Sequence, residues 1–163
     1  MLVLLLDIVT KQLAVRYLQP PNVPHRVVGD VVRLTLAYNR GAAFSMSLGD
    51  YSRIIFGSFA AIALVVLWRL YRQSPPNDKL RVLGLGLAWG GAAGNLLDRL
   101  RGPHGVVDFI DIGVGGVRFW TFNVADSAVT TAVLLLAWVI WREDREANRA
   151  KEAARALGER TGT

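Results

Sequence analysis

The chain contains no cysteine among its 163 residues. Disulfides, thiolate metal centres and cysteine nucleophiles are therefore excluded. Histidine is nearly missing as well. His25 and His104 are too few for a histidine-based zinc site unless carboxylates contribute. Glutamate does not occur before Glu143. Up to that point every acid is an aspartate: Asp7, Asp30, Asp50, Asp78, Asp98, Asp108, Asp111 and Asp126. No serine lies in a G-x-S-x-G context, and neither Ser45 nor Ser127 has an evident base nearby in sequence. No internal repeat is visible.

Apolar side chains fill the space. They make up 52% of the residues, charged ones only 20%, and the net charge is +6 with Arg well ahead of Lys. Mean hydropathy is +0.31. In a soluble chain such basicity suggests nucleic acid. Here the apolar content makes a membrane with anionic lipid the expected partner, and no nucleic acid.

The apolar residues fall into four blocks, at about 1–18, 52–71, 80–100 and 122–141. A bilayer-spanning helix needs about 20 mainly apolar residues. Each block reaches that length if its polar end sits at the interface or inside a bundle. A soluble bundle is the weaker alternative, because no block shows a wide polar stripe. The first block has no basic n-region, carries Asp7 and Lys11, and lacks a small-x-small cleavage site, so it reads as a retained helix. Asp7 and Lys11 stand one helical turn apart, acid first, and can pair.

Lys and Arg in the short connections predict orientation. Arg69, Arg72, Lys79 and Arg81 join the second and third blocks, and further basic residues follow the fourth. Both regions are expected in the cytoplasm, with both termini there. Trp68, Tyr71, Trp138 and Trp141 would form an aromatic belt at that face. Arg26, Arg33, Arg40, Arg101 and Arg118 fall in the segments assigned outside and run against the rule. The mixed-sign tail from Arg142 reads as a solvated helix or disorder.

The two outer segments carry strand signals. Leu34, Leu36 and Tyr38 alternate with Arg33, Thr35 and Ala37, and the segments 106–112 and 117–122 flank a GVGG turn. The expected organisation is an all-α transmembrane four-helix bundle over residues 1–141. Outer β segments at 27–40 and 105–122 form a small sheet, and 142–163 is a charged cytoplasmic tail.

Ionisable groups at bilayer depth are costly, so each needs a partner or a task. Gly86, Gly90 and Gly94 form a strip along the third helix that permits close packing and runs on to Asn95, Asp98 and Arg99. NRGAAFS (Asn39–Ser45) precedes the second helix. FNVADS (Phe122–Ser127) opens the fourth, with Asp126 in its first turn or cap. Read singly, Asp126 is also explained as a cap and Asp108 as a strand residue facing water.

In the order DIVTK, NRGAAF, GGAAGNLLDRL…GVVDFIDI, FNVAD, these motifs resemble the bacterial lipoprotein signal peptidases (signal peptidase II) from Asp7 to about Trp141. The N-terminus is shorter and the charged tail longer than in the family. The resemblance implies four transmembrane helices with an extracytoplasmic β-cradle in the bacterial inner membrane. It implies an aspartyl endopeptidase that cuts the signal peptide from diacylglyceryl-modified prolipoproteins. Asp108 and Asp126 match the catalytic pair. Asp7, Asn39, Asn95, Asp98, Arg99 and Asn123 match supporting polar positions, with Lys11 and Gly41 beside them. Asp111 follows the motif without being catalytic. Gly41, Ala42 and Ala43 would let a substrate backbone pass, and Arg99 or Arg40 would meet head groups. Two neighbouring carboxylates tend to share one proton. One then activates water while the other hydrogen-bonds the scissile carbonyl. Asp126, beside a helix terminus, is the expected ionised member. No cofactor or metal is expected, although Asp98, Asp108 and Asp126 would suit a hard cation. The chain is expected to act as a monomer. A small proton-coupled transporter is the alternative, with charges spread through the membrane depth. A non-catalytic scaffold is a further one.

Overall fold

The computed structural model describes residues 1–41, 51–102 and 104–161, with side chains up to Ala154. Ala42, Ala43, Ser45 and Asp50 lie outside the described residues. The elements run α1 (Leu2–Tyr17), β1 (Pro24–Val28), β2 (Val32–Asn39), α2 (Ser52–Gln73), α3 (Lys79–Arg101), β3 (Val106–Val114), β4 (Val117–Arg118) and α4 (Val124–Thr161). The four apolar blocks are thus the four helices. Residues 142–161 continue α4 without a break, the helical form of the two expected for the tail.

The all-α description needs correction, because a four-stranded antiparallel sheet in the order β1-β2-β3-β4 accompanies the helices. Its first strand begins at Pro24, ahead of the expected β segment, and pairs with β2 from Pro24↔Thr35 to Val28↔Val32. The second arm of the GVGG hairpin is shorter than expected. After Arg118 the ladder is intermittent, with Phe119 N–H on Ile112 O at 2.8 Å and Phe122 N–H on Ile110 O at 3.0 Å. The alternation in β2 does decide its faces. Leu36 is fully buried with Ala14, Leu18 and Phe109, and Leu34 and Tyr38 pack against that cluster. The sheet is therefore fastened to the C-terminal end of α1.

Helix α3 is the centre of the bundle and packs on α1, α2 and α4. Its glycines make this possible, but not as one strip. A Cβ at Gly90 would lie 2.9 Å from Val3 Cβ, and one at Gly94 would collide with Asp7, so these two serve the α1 contact. A Cβ at Gly91 would lie 2.5 Å from Ala125 O, so Gly91 serves the α4 contact. Gly86 faces open space and takes no part in either seam.

The end away from the sheet is closed by ion pairs between α3 and α4. Arg81 meets Glu143, and Arg142 lies 3.9 Å from Asp78. Asp78 caps α3 by accepting the Arg81 N–H at 3.2 Å. Helix α2 and the Val124–Ala154 part of α4 are long and apolar enough to cross a membrane, with mean hydropathies of 2.0 and 1.8. Helix α1 has 16 residues, short of the about 20 that a span requires, and α3 gives part of its length to glycine and charged ends. Ile54, Phe59, Ile62 and Val66 of α2, and Val133, Leu134 and Ile140 of α4, are exposed. An apolar surface of that extent is unusual in water and ordinary in lipid.

Candidate active site

The site is built outward from the first turn of α4. Asn123 precedes the helix, and its Oδ1 accepts the Asp126 N–H at 2.9 Å. Asp126 reciprocates, its Oδ2 accepting the Asn123 N–H at 3.1 Å. This is a capping box with Asn and Asp in place of the commoner pair. The capping reading of Asp126 therefore holds, and it leaves the carboxylate facing the cleft described below.

Asp108 reaches the same place from β3. It is 3% exposed, which overturns the reading of a strand residue facing water. Its Oδ1 accepts the Asn123 Nδ2–H at 2.7 Å and its Oδ2 the Asn39 Nδ2–H at 3.2 Å. One asparagine thus touches both aspartates. Gly105 makes the turn into β3 possible. It has φ +89°, and a Cβ there would collide with Asn39 O. Burial first, and then the charge of Asp126, push the Asp108 carboxyl up to about 7. Neighbouring carboxylates that cannot both ionise easily behave in this way.

Helices α1 and α3 supply the layer behind. Lys11 Nζ lies 2.7 Å from Asp7 Oδ2 and 2.8 Å from Asp98 Oδ2. It also donates to Asn95 Oδ1 at 2.9 Å. Asp7 Oδ1 accepts the Ala125 N–H at 2.9 Å, which ties α1 to the α4 N-terminus. Asp98 Oδ2 accepts the Val107 N–H at 3.2 Å and so holds the start of β3. Asn95 Nδ2–H donates to Asp126 Oδ1 at 2.7 Å. Arg99 donates to Gly41 O at 3.0 Å and to Asn95 O at 3.1 Å, while the Gly41 N–H donates to Asn39 Oδ1 at 3.0 Å. The Asp7–Lys11 ion pair is thus present, and it belongs to a larger network.

Asp108 and Asp126 open on one cleft of about 1230 Å³ that runs from the sheet down the side of α4. Asn39, Gly41, Asn95 and Arg99 line it, as does Arg40, whereas Asp7, Lys11 and Asp98 stand behind the wall. Several lining residues were not singled out from the sequence for such a place, among them Tyr38, Arg118, Phe119, Trp120, Thr130 and Thr131. A sequence signal existed for Arg118, a cation just past a GVGG turn with Asp111 just before it. The two pair at 2.6 Å, and Thr35 donates to Asp111 Oδ2 at 3.1 Å. Ser127 borders the cleft, but its hydroxyl donates to Asn123 O at 3.0 Å, a helix back-bond and not contact with a base. Asp98 is engaged by Lys11 and Val107, so it does not join Asp108 and Asp126 as a set of cation ligands. The polar groups gather at one end of the bundle, which is not the depth-wide spread that a transporter calls for.

Apolar helices thus surround a polar cleft that holds two aspartates. Two bacterial membrane enzyme structures obtained by the in meso method share the fold. One has a TM-score of 0.79 at 27% identity, covering 88% of this chain and 85% of that one. The other has a TM-score of 0.74 at 28% identity, covering 85% and 87%. The chain belongs to the signal peptidase (SPase) II family, whose profile matches residues 1–142. It is 41% identical over 135 residues to the lipoprotein signal peptidase of Geobacillus kaustophilus, covering 82% of this chain and 84% of that protein. It is 39% identical over 139 residues to that of Moorella thermoacetica, covering 85% and 87%. Membership makes the chain a protease of lipoprotein processing and sets the transporter and scaffold readings aside.

Proposed function

We propose that this chain is an aspartyl endopeptidase that removes the signal peptide from diacylglyceryl-modified prolipoproteins, using Asp108 and Asp126. The observation that carries the reading is that both carboxylates, anchored on Asn123, face one cleft. Asp126 takes a proton from water, and the resulting hydroxide attacks the scissile carbonyl carbon. Protonated Asp108 gives its proton to the carbonyl oxygen as the tetrahedral diol forms. The C–N bond then breaks. Asp126 returns its proton to the departing amine, and Asp108 recovers one from the diol, so the pair ends as it began. The raised proton affinity of Asp108 supports its role as the protonated member. No metal or cofactor is required by these steps.

The chain is a four-span protein of the bacterial inner membrane, with residues 1–141 as the peptidase unit and 142–163 as a cytoplasmic tail. Helix direction supports both termini on one side and the site on the other. The sheet binds the C-terminal end of α1, while α3 and α4 are paired at the far end through Arg81 and Glu143. The cleft extends along α4 to Thr130 and Thr131, which supports lateral entry of the substrate with its acyl chains from the outer leaflet. The test is processing of a diacylglyceryl-modified prolipoprotein by the purified protein. Asp108→Ala and Asp126→Ala are expected to abolish cleavage while still inserting in membranes. Cleavage by either variant overturns the assignment.

A further inference from the structure

Three asparagine amides point N–H groups at the two aspartates, and each amide has its oxygen held by a donor that cannot be an acceptor. For Asn39 that donor is the Gly41 N–H, and for Asn123 the Asp126 N–H. Both are backbone groups. For Asn95 it is the ammonium of Lys11, a side chain of another helix, joined by the Asn123 Nδ2–H at 3.2 Å. An ammonium has three N–H groups and no lone pair. With Asp7 and Asp98 on two of them, the third meets Asn95 and fixes which end of its amide is oxygen. The Asn95 NH₂ is then forced toward Asp126.

We infer that Lys11, from behind the cleft wall and without touching substrate, is a positioning residue that orients the Asn95 amide and so holds its NH₂ on Asp126, the member of the pair that takes the proton from water. This rests on the function proposed above. An N–H donor stabilises a carboxylate and opposes its protonation. If the amide turned, an oxygen would face the Asp126 carboxyl and this bond would be lost. Lys11 is 4% exposed, buried where α1 meets α3. The charged groups around this cluster are Asp7 on α1, Asp98 and Arg99 on α3, Asp108 on β3 and Asp126 on α4. Of the cations among them, only Lys11 is bonded to the amide oxygen that decides the orientation.

Removing Lys11 alone strands two carboxylates, so the test uses Lys11→Met with Asp98→Asn. That pair of changes keeps the net charge of the cluster, and Asp7 retains its Ala125 N–H. The probe is a fluorogenic diacylglyceryl-modified prolipoprotein peptide, with kcat and KM measured from pH 5 to 9. The expected result is a kcat lower by about 10- to 100-fold, the worth of one charge-assisted hydrogen bond, at nearly unchanged KM. Lys11→Arg is expected to restore most of the rate. Should the double variant fail to accumulate, Lys11→Met with Asp7→Asn, which likewise removes the ammonium, balances the charge and leaves an oxygen for the Ala125 N–H, is read for the same loss of kcat at unchanged KM. Wild-type kcat in the variant that folds, or a loss of kcat that Lys11→Arg does not restore, overturns the inference, because a purely structural lysine predicts one of those outcomes. Inactivity of the wild-type protein instead overturns the function on which it rests.

Discussion

At the scale of single residues, Asp108 makes the sharpest demand. Its carboxyl is pushed up to about 7 from the ordinary 3.8. Between those values the folded protein holds a proton that the unfolded chain has released, so stability falls as pH rises across the window and levels off above it. Each pKa unit is about 1.4 kcal/mol, so the total is on the order of a few kcal/mol. Melting temperature in detergent is expected to drop from pH 5 to pH 8, and Asp108→Asn should flatten that slope. A wild-type melting temperature that is level or rising over the range contradicts the assignment. Cleavage should decline as pH passes about 7, where the proton that the carbonyl oxygen needs is lost. The sequence made these two aspartates candidates through motif order. It left them indistinguishable from a cap and a wet strand position, because burial is a property of what packs around a residue.

Among the elements, α3 shows how glycines of one helix serve different neighbours. Gly94→Ala would drive a methyl group into Asp7, and Gly91→Ala would push one against the Ala125 carbonyl. Both are expected to lower stability and abolish most activity, Gly94→Ala by displacing the Asp7 link to α4. Gly86→Ala, with open space around it, should insert, fold and cleave as the parent does. Thermal melts and cleavage rates of the three variants side by side check this, and an inactive Gly86→Ala would show that the seams are wrongly assigned. The spacing of four made Gly86, Gly90 and Gly94 look like one strip. Only the approach angles of α1 and α4 decide which glycine meets which helix. The hairpin offers a parallel case. Its turn was legible from GVGG, but the second strand is cut to Val117–Arg118 because the chain then leaves the ladder intermittently.

For the whole molecule, helix direction and the absence of cysteine allow a direct test of topology. Asn77→Cys, in the α2–α3 connection, and Val117→Cys, on the hairpin, introduce single thiols into a chain that has none. An impermeant maleimide added to spheroplasts is expected to label the second and not the first, with the reverse in inside-out vesicles. Labelling of both from one side would contradict the four-span arrangement. A stop after Ala147 keeps Glu143 and Arg142 with their partners and should leave cleavage unchanged, since residues 148–154 beyond it are exposed. The sequence alone determined the number and order of the helices, the turn positions and the chain of polar motifs, because periodicity, glycine placement and charge are local properties. It did not determine that Ala125 would bond Asp7, or that Lys11 would stand behind Asn95. Those contacts join residues far apart in the chain, and only the packing of α1, α3, α4 and the sheet brings them into reach.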